Sequence, residues 1–192
     1  MTPRQLLSPQ ARGALFDPPT DPATIVRHYT FLPEDMVVIR RRRRDANRLG
    51  FAVHLAYLRF PGRVIGVDEN PPLDMLCFIA EQIGVSDRDF EDYATRSQTR
   101  RAHLSELQAY LGVRPFRRED YRAVAKSTLG GATGTDRGDA IVAVMIDHLR
   151  KRSILLPASV TLEKFGLAAR ESGPTRTSSR AWNLRQLPDW RR

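Results

Sequence analysis

An all-α, multi-helix domain is the fold this sequence predicts, and three observations predict it. Apolar residues recur at three- and four-residue spacing through most segments, the period of a helix that buries one face. Proline or glycine separates those segments, often in Ser-Pro, Asp-Pro or Leu-Pro pairs that set proline where a first helical turn tolerates it. The one run with β character, Arg63 to Val67, stands alone and is expected to be loop.

Taken in order, Ser8-Pro9 opens a helix through Phe16, and the DPPTDP run from Asp17 to Pro22 ends it. A second helix spans Pro22 to Tyr29, with Ile25, Val26 and Tyr29 on one side. A third starts at Pro33, with Glu34 and Asp35 at the positive end of its dipole. If it runs on through the arginines, Arg40, Arg44 and Arg48 share a face. From Leu49 to Phe60 only His54 and Arg59 are clearly polar, so that helix is expected to be buried all round until Pro61-Gly62 stops it. Leu73, Leu76, Cys77, Ala80 and Ile83 then form a stripe closed by Gly84, with Cys77 read as core filler.

Ser86 or Asp87 caps a short helix through Tyr93, and Ser97 to Leu111 forms a longer one with Leu104, Leu107, Tyr110 and Leu111 inside. Arg117 to Leu129 is helical, Gly130 to Gly138 is a connector, and Asp139 to Ile154 repeats Ile141, Val142, Met145, Ile146 and Leu149. Arg150, Lys151 and Arg152 fall in its last turn, where the dipole favours them. A last helix runs from Pro157 to Ala169. The domain is thus expected over residues 1–170, with 171–192 as a disordered or foreign tail: from Gly173 the helical period is lost.

Charge narrows the function. The chain has 192 residues with 31 Lys+Arg against 22 Asp+Glu, a formal +9; the last twenty hold five arginines and one acid, which leaves +5 on the rest. Nearly all of that positive charge is arginine, the side chain suited to forked phosphate contact, so acidic polymers are the expected partners. Arg40, Arg41, Arg42, Arg43 and Arg44 form an uninterrupted run, and only Asp45 lies close enough in sequence to neutralise it. Asn47 and Arg48 follow, residue types that pair with adenine and guanine edges. The helices on either side make a helix-turn-helix-like element of the kind that binds DNA. Arg96, Arg100 and Arg101 sit at a helix start, where they oppose the dipole, and are a second set of candidate backbone contacts. The competing reading of either cluster is a solvated charged face.

Catalytic signatures are missing. His28, His54, His103 and His148 show no metal-ligand spacing, and His103 with Glu106 reads as a surface contact. The Gly130 to Gly138 connector lacks the Gly-Lys-Ser/Thr end of a phosphate loop. No nucleophile elbow or carboxylate cluster stands out, so no cofactor, metal or enzymatic activity is expected. A single cysteine fits a reducing compartment, and no apolar run reaches signal-peptide or membrane-span length; a cytoplasmic protein without membrane contact is expected.

Longer strings carry more. RQLLSPQARGALFDPPTD, RHYTFLPEDMVVIRRRR, NRLGFAVHLAYLRFPGRVI, FIAEQIGV and YATRSQTRRAHLSELQAYLGVRPF, in this order, resemble the N-terminal domain of the Tn-three family of replicative transposases, from about Arg4 to about Lys164. The resemblance implies a helical region that recognises the terminal inverted repeats of a transposon in double-stranded DNA. It also implies that the family's metal-dependent acidic triad lies far downstream, so this chain alone is not expected to cut or join DNA. Past Arg170 the family stays helical and charged, whereas here the chain reads GPTRTSSRAW, the mark expected of a truncated or frameshifted remnant copy. A second function class is a protein-interaction module that braces a dimer through self-association.

Overall fold

The computed structural model describes residues 6–94, 97–124 and 137–171. Regular structure among them is helical: α1 Pro9–Phe16, α2 Pro22–Tyr29, α3 Pro33–Arg40, α4 Asp45–Arg59, α5 Leu73–Ile83, α6 Asp89–Ala94, α7 Ser97–Leu111, α8 at 120–124, α9 Gly138–Lys151 and α10 Ser159–Glu171. The extended pairing in this region is one isolated parallel bridge, Arg114 to Ile154. The glycine connector and the tail from 172 onward lie outside the described residues.

Local chemistry sets the ends. Ser8 accepts from the Ala11 amide at 3.1 Å and Asp21 from the Thr24 amide at 2.9 Å, each satisfying an orphan donor of a first turn that proline follows. Gly84 ends α5 at φ 70°, a left-handed conformation that favours glycine, with the Val85 amide returning to the Ala80 carbonyl. Arg63 to Val67 is loop, as expected from its isolation.

The core is built around α4. Every side chain from Phe51 to Leu58 is buried, and each large apolar one contributes about 1.5–3 kcal/mol by leaving water. Gly50 is what brings α6 in: a Cβ there would stand 2.2 Å from carbons of the Tyr93 ring, so Tyr93 lies directly on the α4 backbone. A second apolar cluster joins Leu7, Phe16, Val124, α9, Leu162 and Phe165. The chain threads the seam between the two. Leu155 belongs to the α4 cluster while Ile154 and Leu156 belong to the other, and the Leu156 amide donates to the Gly62 carbonyl at 2.8 Å.

Several expectations are corrected. On α5 the buried residues are Met75, Ile79 and Ala80, and Leu73 is 66% exposed. Cys77 is exposed rather than core, because it lies four residues from Leu73 on the opposite side of the helix from Met75 and Ile79. Val26 and Tyr110 are also more exposed than their stripes imply. His103 is no surface residue: it is buried, with Nδ1 3.1 Å from the Tyr93 hydroxyl, and Glu106 bonds elsewhere. Nor does α3 run on through the arginines. It stops at Arg40, and Arg44 takes an extended conformation at the N-cap of α4, so Arg40, Arg44 and Arg48 do not share one helix face. Finally, α9 ends at Lys151, before Ile154 enters its bridge.

Candidate nucleic-acid interface

The arginine run forms the turn between two antiparallel helices whose relative position is fixed from the far end. Asp35, fully buried at the start of α3, accepts from Arg59 Nη1 at 2.6 Å, the Tyr110 hydroxyl at 2.7 Å and the Leu32 amide at 2.8 Å. Arg59 also donates a second bond, so the pair is a fork. Burial alone would raise the Asp35 pKa, but the bonds from Arg59, Tyr110 and Leu32 outweigh it and hold the carboxyl below its ordinary value. One ionised carboxylate thus ties the start of α3 to the end of α4 and to α7.

At the near end the five arginines divide. Arg42 turns inward: its guanidinium lies 4.8 Å over the Phe51 ring and forks onto Glu106 of α7 at 2.8 and 2.9 Å. Its Nε is buried with no partner, and its carbonyl accepts from Arg48 Nε at 3.0 Å. Arg40, Arg41, Arg43 and Arg44 are exposed and form no ion pair among the described residues. Arg42 is therefore the peg, and four guanidinium groups within five residues face solvent around it.

The candidate base readers start α4. Arg48 pairs with Asp45 at 2.8 Å, 35% and 56% exposed respectively, an arrangement that exchanges readily with another acceptor. Asn47 is half-buried, with its Oδ1 buried and unpartnered. The second candidate set does not join the first. Arg100 donates to the Gly66 and Val67 carbonyls at 2.9 and 3.3 Å, so it fastens the loop after α4, while Arg101 points away from the core of α7 and is exposed. Arg96 lies outside the described residues.

Sequence reading passed over Asp35, Tyr110 and Glu106 as positioning residues. The available signal was Arg59, a lone cation in an apolar helix, which needs a buried counter-charge. Among the described residues no group of three or more His, Cys, Asp or Glu could hold a metal ion, and no helix is long and apolar enough to cross a membrane. An exposed turn of unpaired guanidinium groups on a rigid base offers forked contacts to phosphate oxygens.

Comparison with known proteins gives the lineage. A family model described as a domain of unknown function (DUF4158) matches residues 6–169. The transposase for transposon Tn21 of Escherichia coli is 44% identical over 164 residues, 85% of this chain and 17% of that protein. The transposase for transposon Tn3926 of Escherichia coli is 42% identical over 164 residues, and that for transposon Tn501 of Pseudomonas aeruginosa 37%, with the same 85% and 17% coverage. The chain therefore spans 17% of the length of these relatives. By these matches the chain belongs to the DUF4158 family and corresponds to the N-terminal domain of transposases of the Tn-three family.

Proposed function

We propose that this chain is a DNA-binding module for transposition, which grips double-stranded DNA at the terminal inverted repeats of a transposon. The observation that carries the reading is the turn between α3 and α4, where Arg40, Arg41, Arg43 and Arg44 are exposed without a carboxylate partner among the described residues. These four take phosphates, Arg42 holds the turn on α7, and Asn47 and Arg48 read base edges from the first turn of α4. Arg101 is a secondary backbone contact. Residues 1–170 carry the binding, in the cytoplasm, and strand cleavage and joining belong to a part of the transposase this chain does not span.

A mobility shift of the chain on terminal-repeat duplex against scrambled duplex, across a salt series, tests this. Each phosphate neutralised contributes about −0.9 to the slope of log K against log salt. Replacing Arg41, Arg43 and Arg44 with alanine weakens binding and flattens the slope by up to about 2.7. An unchanged slope removes the turn from the interface. Asn47→Ala instead narrows the preference for repeat over scrambled duplex, by less than the about 1–3 kcal/mol of a two-bond pair, because its Oδ1 is buried and not offered to a base edge.

One observation favours a second reading. Leu32 at the N-cap of α3 and Val37 within α3 are 58% and 55% exposed, apolar side chains suited to contact with another protein copy. Size-exclusion mass without DNA separates the two: a monomer supports the DNA module, and a stable dimer supports the bracing role.

A further inference from the structure

Asp45 is an acid set among phosphate-seeking side chains. It follows Arg44 directly and starts α4, beside a turn whose Arg40, Arg41, Arg43 and Arg44 are exposed and meet no carboxylate among the described residues. A carboxylate there repels each phosphate that the guanidinium groups attract. The dipole of α4 favours an acid in its first turn, and Arg48 pairs with it. An exposed pair three residues apart on a helix adds little to stability, so neither reason accounts for the way this pair is held.

Arg48 is fixed from two sides. Its Nε donates to the Arg42 carbonyl at 3.0 Å, inside the turn, and its Nη1 donates to Asp45 Oδ1 at 2.8 Å. Arg42 is itself pegged by its fork onto Glu106 and its seat over the Phe51 ring. The guanidinium of Arg48 therefore rests on anchored backbone and does not depend on Asp45 alone. Arg48 Nη2 and Asp45 Oδ2 make no hydrogen bond among the described residues, and the two side chains are 35% and 56% exposed. The pair thus has free N–H donors immediately beside a free carboxylate oxygen.

We propose that Asp45 and Arg48 act as one reader of a G·C base pair in the major groove, Arg48 donating to guanine O6 and N7 and Asp45 accepting from the cytosine amino group. The proposal rests on the DNA-binding reading above. Its chemistry selects one base pair. Across the major groove a G·C pair presents two acceptors on guanine and then a donor on cytosine N4. The Arg48–Asp45 pair presents the complement, donors and then an acceptor. In an A·T pair adenine N6 sets a donor against the guanidinium, and thymine O4 sets an acceptor against the carboxylate. Like then meets like at two atoms, and each group loses its partner. Such a reader also explains the acid in the turn: it weakens the hold on any backbone while adding discrimination at one pair.

A base-pair scan of terminal-repeat duplex tests this, with the full chain and each G·C pair replaced in turn by A·T, binding being followed by mobility shift. In the wild type one replacement lowers affinity about tenfold or more, the size of a good two-bond contact. Asp45→Ala shrinks the penalty at that position and leaves the others unchanged. Arg48→Ala also shrinks it but keeps a residual preference for G·C, which Asp45→Ala/Arg48→Ala abolishes. Asp45→Ala binds scrambled duplex more tightly than the wild type, because a negative charge has left the turn; this also marks the variant as folded. An Asp45→Ala profile identical to that of the wild type overturns the joint reader and leaves the DNA-binding reading intact. So does an Arg48→Ala profile that the second substitution does not alter, since Asp45 would then act only by holding Arg48. Equal binding of repeat and scrambled duplex by the wild type, or binding of neither, overturns both.

Discussion

His54 lies in the middle of α4, 2% exposed, and both its ring nitrogens are buried without a hydrogen-bond partner. Burial, then the charges of Arg100 and His103, pulls its pKa from 6.5 to about 4, and burial beside Arg42 takes His103 to about 4 as well. Both rings are neutral in the folded protein at pH 7, whereas in the unfolded chain they protonate near 6.5. Their contribution to stability is complete above that value, declines as pH falls toward 4, and is lost once the folded forms protonate. His54→Leu should flatten part of this decline, since it deletes one titrating group and two unsatisfied polar atoms together. Urea midpoints at pH 7.5, 5.5 and 4.5 check it; an equal decline in wild type and variant would assign the acid sensitivity to other groups. Legibility at this scale was partial. That the helix holding His54 is buried could be read from its apolar run, but five adjacent arginines look alike until Glu106, 64 residues away, singles out Arg42. Asp35 likewise reads as a dipole residue until Arg59 and Tyr110 converge on it.

Helix boundaries were legible where the chain changes chemistry abruptly. Ser8-Pro9, Asp21-Pro22 and Gly84 set the ends of α1, α2 and α5 as expected, because a cap or a left-handed residue is a local event. Buried faces were less legible. Leu73 to Ile83 is apolar nearly throughout, so neighbouring phases of the helix look equally buried, and only packing against α2 and α4 selects Met75 and Ile79 over Leu73 and Cys77. The stop at Arg40 was hidden for another reason: arginine is a good helix former, so a run of it carries no break signal. What sets the geometry of α3 and α4 is the fork between Asp35 and Arg59, with Tyr110 from α7 closing it. Asp35→Asn leaves Arg59 without its counter-charge, and one-sided loss of a buried pair costs about 3–5 kcal/mol. The expected outcome is a lower urea midpoint together with weaker terminal-repeat binding, since the angle that presents the arginine turn is released. An unfolding free energy within about 0.5 kcal/mol of wild type would show that α3 and α4 are held by apolar packing alone.

At the scale of the molecule, two apolar clusters meet at a seam that the chain crosses twice in three residues. Leu155 enters the α4 cluster between Ile154 and Leu156, which enter the α9 cluster, so neither core closes without the same short segment. Polar ties reinforce it: Leu156 to Gly62 at 2.8 Å, Arg150 to Pro61 at 2.7 Å and Arg63 to the Phe16 carbonyl at 2.8 Å. Two cores joined by a loose linker would open independently, each with its own free energy. Cores that share a buried segment open together, because freeing one exposes apolar surface of the other. Leu155→Ala removes a side chain that is 4% exposed, and a large-to-small change of this kind costs about 2–5 kcal/mol. If the seam couples the clusters, native-state hydrogen exchange should show α4 and α9 losing protection by the same amount in that variant. Protection lost in α4 while α9 stays at its wild-type value would mean that the clusters are separate folding units.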